Sequence, residues 1–244
     1  MANSTPEASA AWWRDEIMTA DLLADPLLAT APDTPVFGLN LACAYPFPAE
    51  LEPAYADLWG RLRGLGPEAY VYPFWQTHVT IATLVNFART QRPTASERRE
   101  LEDLTHRLIR LLDSRLTLGE GGRLPPFRLE FGRPVLTRRA AIIPIQNQSG
   151  EIACLRRNVQ QLIAEDAELA SALARWGMNV PKIIHATIMR LVEAPLAPDQ
   201  FLARFEAAAG SVVLGSARID AVLLTVETQP YMREGKVLHR FGLF

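Results

Sequence analysis

The chain has 244 residues and a mass of 27.1 kDa, enough for one large domain or two small lobes around a substantial core. Apolar residues make up 49% of it and charged residues 21%, which excludes wholesale disorder. The formal net charge is −2, which excludes a polybasic nucleic-acid or membrane-surface binder as a global description but leaves room for a local basic cleft.

No apolar run approaches the ~18–20 residues of a membrane span, and Met1 to Ala11 carry no basic segment followed by an apolar stretch. Cys43 and Cys154 provide neither a disulfide framework nor metal-ligand spacing. These features predict a cytoplasmic protein with two reduced thiols and no metal.

Residues 1–35 form an N-terminal extension. Trp12, Trp13, Ile17, Leu22 and Leu23 mark one helix, closed by Asp25-Pro26 and expected to dock on the body. The main domain, 36–244, opens with alternating Phe37, Leu39, Leu41 and Cys43, a strand pattern. Leu51, Tyr55, Leu58, Leu62 and Leu65 follow at helical spacing, stopped by Gly64 and Gly66. An extended stretch from Tyr70 to Val85 comes next, then a helix capped by Ser96 with Leu101, Leu104, Leu108, Leu111 and Leu112 as its apolar stripe. Gly119 to Pro126 is turn-rich and separates lobes at 36–118 and 127–244.

The second half repeats the order. Phe127, Leu129 and Phe131, then Ala140 to Ile145, read as strands. Ser149 is placed to cap a helix carrying Ile152, Leu155, Val159, Leu162 and Ile163. Lys182 to Val192 reads as a strand, and Asp199 is placed to cap a helix with Phe201, Leu202 and Phe205. Ile219 to Thr228 and Lys236 to Phe244 close the chain as an antiparallel pair. The recurrence predicts an α+β fold: bilobal, with two pseudo-symmetric lobes of largely antiparallel sheet flanked by helices and a cleft between them.

The third element of each half carries the informative letters, Thr77-His78-Val79-Thr80-Ile81 and Ile184-His185-Ala186-Thr187-Ile188. Strand side chains alternate, so His78 and Thr80 share one face and His185 and Thr187 another, while the apolar residues between them face a core. A Thr two residues after a given His, with apolar neighbours, arises by chance roughly 1–2% of the time. Two such motifs among four histidines, in matching elements of a duplicated order, favour a site over coincidence. Two imidazoles can take and give a proton near neutrality, and short Thr hydroxyls can hold phosphoryl oxygens. That pairing suits in-line displacement at phosphorus without a metal.

The paired His-x-Thr strands resemble the two-histidine (2H) phosphoesterase superfamily, which includes the bacterial RNA 2′,3′-cyclic phosphodiesterases once described as 2′-5′ RNA ligases. The resemblance covers about residues 36–244. It implies His78 and His185 as the catalytic pair, Thr80 and Thr187 as phosphate ligands, and Arg190, five residues after the second His, as a further phosphate ligand. On a regular strand Arg190 would point away from His185, so that role requires a bulge or a strand end. The resemblance further implies a hydrolase of a 2′,3′-cyclic phosphate or related nucleotide or RNA phosphodiester. No cofactor, membrane or obligate protein partner is expected, and the chain is expected to be a monomer. RNA-end ligation and a non-catalytic nucleotide-binding module are the rival readings.

Tyr72, Phe74 and Trp75 precede the first motif and Tyr231 lies in the closing hairpin, where aromatics could stack a base. Gly64-x-Gly66-x-x-Ala69 follows a helix rather than a strand and reads as a helix stop, not a dinucleotide fingerprint. His106 and His239 read as structural, and the Arg138-Arg139 and Arg156-Arg157 pairs as solvated faces.

Overall fold

A backbone buried on both faces calls for apolar residues without strict alternation, and strand β1 (Gly38–Cys43) shows this, with all six residues buried. A computed structural model of the chain describes residues 21–113, 115–119 and 122–244. Trp12, Trp13, Ile17 and the predicted N-terminal helix lie outside the described residues.

Beside β1 runs β3 (Val79–Val85), and on its other side β11 (Ala221–Gln229) followed by β12 (Glu234–Gly242). Beyond β3 come β9 (His185–Leu191), β8 (Ala140–Gln146), β6 (Phe127–Phe131) and β10 (Gly215–Ile219). Every pairing in this order is antiparallel. Short β2 (Ala69–Val71) adds to β9 and β7 (Val135–Leu136) to β8. A separate two-stranded ribbon, β4 (Leu118–Gly119) and β5 (Gly122–Arg123), occupies the predicted break.

The architecture is α+β with two pseudo-symmetric lobes that meet where β3 pairs with β9. On one side lie β3, β1, β11 and β12; on the other β9, β8, β6 and β10. The closing pair β11–β12 completes the lobe that holds the first motif, and β2 crosses to the lobe that holds the second.

Six helices appear among the described residues: α1 (Pro26–Thr30), α2 (Glu52–Arg63), α3 (Ala95–Leu112), α4 (Glu151–Ala164), α5 (Ala167–Arg175) and α6 (Pro198–Ala209). The apolar stripes of α3 and α4 are buried as their spacing predicts, except that Leu111 of α3 is only half-buried. Truncating one such Leu to Ala costs about 2–5 kcal/mol.

The caps differ from expectation. α3 begins at Thr94, not Ser96, because Glu97 closes a capping box with Thr94. Asn147 rather than Ser149 accepts an amide at the start of α4, from Ile152 at 2.8 Å. α6 begins after Ala197 with Pro198 in its first turn, which places Asp199 inside the helix. Asp25 opens a helix that was not expected: its carboxylate accepts from the Leu27 and Leu28 amides as the N-cap of α1. No helix of the described residues is long and apolar enough to cross a membrane.

Candidate active site

The single paired position between β3 and β9 is Val79 opposite Ala186, and both residues are fully buried. Extending that antiparallel register by one residue sets His78 beside Thr187 and Thr80 beside His185. All four point away from the core on one face. Diagonal neighbours across such a ladder have Cα atoms ~7–8 Å apart, and the side chains reach further toward each other. His78, Thr80, His185 and Thr187 all line one cavity of about 230 Å³.

Arg190 lines the same cavity. Strict alternation would turn it into the core, but β9 bulges. One step on β8, from Ala141 to Ile142, spans Met189 to Thr187 on β9. Ile188 and Met189 are consecutive buried residues, and Arg190 returns to the cleft face. β3 bulges at the equivalent place: Leu41 to Ala42 on β1 spans Ala82 to Thr80. Ile81 and Ala82 are both buried, and Thr83 turns into the cavity. Thr83 follows His78 by five residues, as Arg190 follows His185.

His78 Nδ1 lies 2.9 Å from the Gln76 carbonyl oxygen, which can only accept. Nδ1 therefore carries the proton, and the neutral ring keeps its lone pair on Nε2. Burial pulls the His78 pKa below its ordinary value; the Gln76 carbonyl opposes this and the Arg190 charge adds to it. His185 Nδ1 is buried without a hydrogen-bond partner. An unpartnered buried N–H is costly, so the neutral ring keeps its proton on Nε2. Burial, then the positive charges of Arg190, His78 and Arg156, push His185 down to about 4.

Around Arg190 two of the five N–H donors have partners. Its guanidinium lies 3.8 Å from the centre of the Tyr231 ring. Nε donates to the Tyr72 hydroxyl at 3.3 Å and Nη1 to Asp25 Oδ2 at 3.1 Å. Glu227, 2% exposed, also lines the cavity. It accepts from Asn40 Nδ2 at 2.9 Å and from the Met232 amide at 2.8 Å. Burial raises its pKa to about 7 against those two hydrogen bonds and the Arg190 charge.

Arg156 ties β3 to the residues that lead into β9. It donates to the carbonyls of Ile81 (3.2 Å), Thr80 (3.4 Å) and Ile183 (2.8 Å). This corrects its reading as part of a solvated face.

Of the aromatic candidates, Tyr72 and Tyr231 line the cavity, while Phe74 and Trp75 are not among its lining residues. Phe74 packs on Phe47 and Tyr55, and Trp75 is 65% exposed. The Tyr231 ring meets Phe87 edge-on with centres 4.8 Å apart, and Phe87 also lines the cavity. Sequence reasoning missed Asn40, Thr83, Phe87, Glu227 and Asp25. The only available signal was the shared five-residue spacing at Thr83.

A second cavity of about 400 Å³ shares His185, Thr187 and Arg190 and continues past Thr137, Ile142, Asn179 and Lys182. The two cavities thus adjoin at the second motif, while His78 and Thr80 line the first of them alone. Among the described residues no three His, Cys, Asp or Glu side chains gather as a metal site. His106 is exposed, and His239 contacts Asp113 at 2.7 Å.

No family model matches the sequence and no curated protein matches it. Solved structures do match in fold. One is TT0787 of Thermus thermophilus, with a TM-score of 0.52 and 22% identity over 84% of this chain and 97% of that one. Others are E. coli LigT complexed with 3′-AMP (TM-score 0.48, 17% identity, 86% of this chain and 98% of that one) and a phosphoesterase (TM-score 0.46, 19% identity, 84% and 98%). The chain therefore shares its fold with TT0787.

Proposed function

We propose that the chain is a phosphodiesterase that opens a 2′,3′-cyclic phosphate, or cleaves a related nucleotide or RNA phosphodiester, by acid–base catalysis with two histidines. The observation that carries this reading is the meeting of His78, Thr80, His185 and Thr187 on one cleft face across the β3–β9 contact.

The hydrogen bonds around the two rings suggest a division of labour. His78, with its Nε2 lone pair free, is the base that takes a proton from the attacking water. His185, in its imidazolium form, donates from Nε2 to the leaving ribose oxygen. The low pKa of His185 means that this charged form depends on substrate. A bound phosphodiester anion raises it by direct attraction. Thr80, Thr187 and Arg190 meet the charge that builds on the non-bridging oxygens. The two cavities that share His185, Thr187 and Arg190 give room for the nucleoside and for the group beyond the phosphorus.

Hydrolysis of 2′,3′-cyclic nucleotides in EDTA tests the reading. Turnover is expected to persist in the chelator and to fall about 10²–10⁴-fold in H78A and in H185A. Activity that vanishes in EDTA and returns with a divalent metal would contradict it.

A further inference from the structure

The segment before β1 reaches the cleft. Leu23 N donates to the Arg138 carbonyl at 2.8 Å and Asp25 N to the Leu191 carbonyl at 2.6 Å, so this arm lies along the end of β9. Asp25 is 2% exposed. Its Oδ1 accepts from the Tyr231 hydroxyl at 2.8 Å and from the amides of Leu27 at 3.1 Å and Leu28 at 3.2 Å. Oδ2 accepts from Arg190 Nη1 at 3.1 Å. Capping a five-residue helix does not require a buried charge, since Ser, Thr or Asn caps as well in solvent. Burying a carboxylate is costly unless it is paired. The pairing here is to a cleft arginine and to the tyrosine beneath it.

We propose that Asp25 is a positioning residue of the active site, and that the arm is part of the catalytic unit through it. With Nη1 tied to Asp25, Nε to Tyr72 and the guanidinium plane laid on Tyr231, Arg190 has one orientation, and its remaining N–H groups are left for a phosphoryl oxygen. This inference rests on the phosphodiesterase reading above. Asp25 also competes with a phosphate for the charge of Arg190. Its loss therefore leaves attraction for the anion intact or stronger while removing the orientation that serves the transition state. The signature is a fall in kcat without a rise in KM.

The test uses the full chain with D25N, which keeps the side-chain shape and a capping oxygen, together with R190Q and the double variant. D25N is expected to lower kcat about 10- to 100-fold with KM unchanged or lower. The double variant is expected to be no slower than R190Q alone, because Asp25 acts through Arg190. The Arg190 Nε–H resonance, assigned by its loss in R190Q, is expected to exchange slowly in the wild type and to broaden or vanish in D25N. Y231F, which removes only the hydroxyl that orients Asp25, carries the same comparison where D25N does not fold. A wild-type kcat in D25N, losses that add in the double variant, or a resonance indifferent to D25N would each overturn the proposal. A wild-type chain inactive on every phosphodiester, with a resonance that still depends on Asp25, would sink the reaction assigned above and leave the clamp on Arg190 standing.

Discussion

Acidification probes the electrostatics of the cleft, because a half-buried histidine and a buried glutamate there titrate in the same window with opposite effects on stability. His185 is depressed from 6.5 to about 4, so the unfolded chain takes up its proton first. The stability it contributes is present above pH 6.5 and is lost as the pH falls toward 4. Glu227 is raised from 4.5 to about 7, so the folded chain takes up its proton first. The cost of its buried charge is present above pH 7 and is relieved as the pH falls toward 4.5. Each pair of values is separated by about 2.5 pH units. Between pH 7.5 and 4.5 this amounts to about 2–3 kcal/mol per group, lost through His185 and regained through Glu227.

The two contributions nearly cancel in the wild type, and single variants expose them. Urea unfolding at pH 7.5 and 4.5, at fixed ionic strength, gives the change in stability for each chain. Relative to the wild type, H185N is expected to gain about 2–3 kcal/mol on acidification and E227Q to lose about as much. Other carboxylates titrate alike in all three chains and drop out of the comparison. Variants that move in the same direction, or that both stay within about 0.5 kcal/mol of the wild type, would refute the opposing roles assigned to His185 and Glu227.

Removing the Thr80 or Thr187 hydroxyl with T80V or T187V is expected to cost about 1–3 kcal/mol of transition-state binding, read as the fall in kcat/KM on a cyclic nucleotide. F87A is expected to raise KM several-fold while W75A leaves it unchanged, because only Phe87 lines the cavity; steady-state kinetics with one substrate checks both. R156M strips three carbonyls, two on β3 and one just before β9, of a charged donor. It is expected to destabilise the chain by about 2–3 kcal/mol in urea unfolding.

What can be read from the letters follows the range of the interactions. The apolar stripes of α3 and α4 and the alternation of β6 are local patterns, and the structure keeps them. The caps fall a few residues from their expected places because Ser96, Ser149 and Asp199 satisfy the composition rule, while Glu97, Asn147 and Pro198 decide where the chain turns. The cleft face is legible at His78, Thr80, His185 and Thr187 because strand alternation fixes i and i+2. Beyond i+2 the pleat alone misleads. It turns Arg190 into the core, and two β-bulges are needed to bring Arg190 and Thr83 back. A polar residue five positions after a motif histidine, where alternation demands an apolar one, is thus a sequence signal for a bulge, and it occurs in both halves.

Asp25 lies at the other limit. Nothing local distinguishes it from an exposed helix cap, since its burial is decided by Arg190, 165 positions away, and Tyr231, 206 positions away. Glu227 is similar. Asn40 reaches it from 187 positions away, and a Cβ at Gly38, its cross-strand partner, would collide with its Oε1. Buried charges in this cleft are therefore tertiary decisions. Asp25 sets the orientation of Arg190, and the charge of Arg190 in turn helps to depress both histidines, whose shared face the strand pattern alone shows.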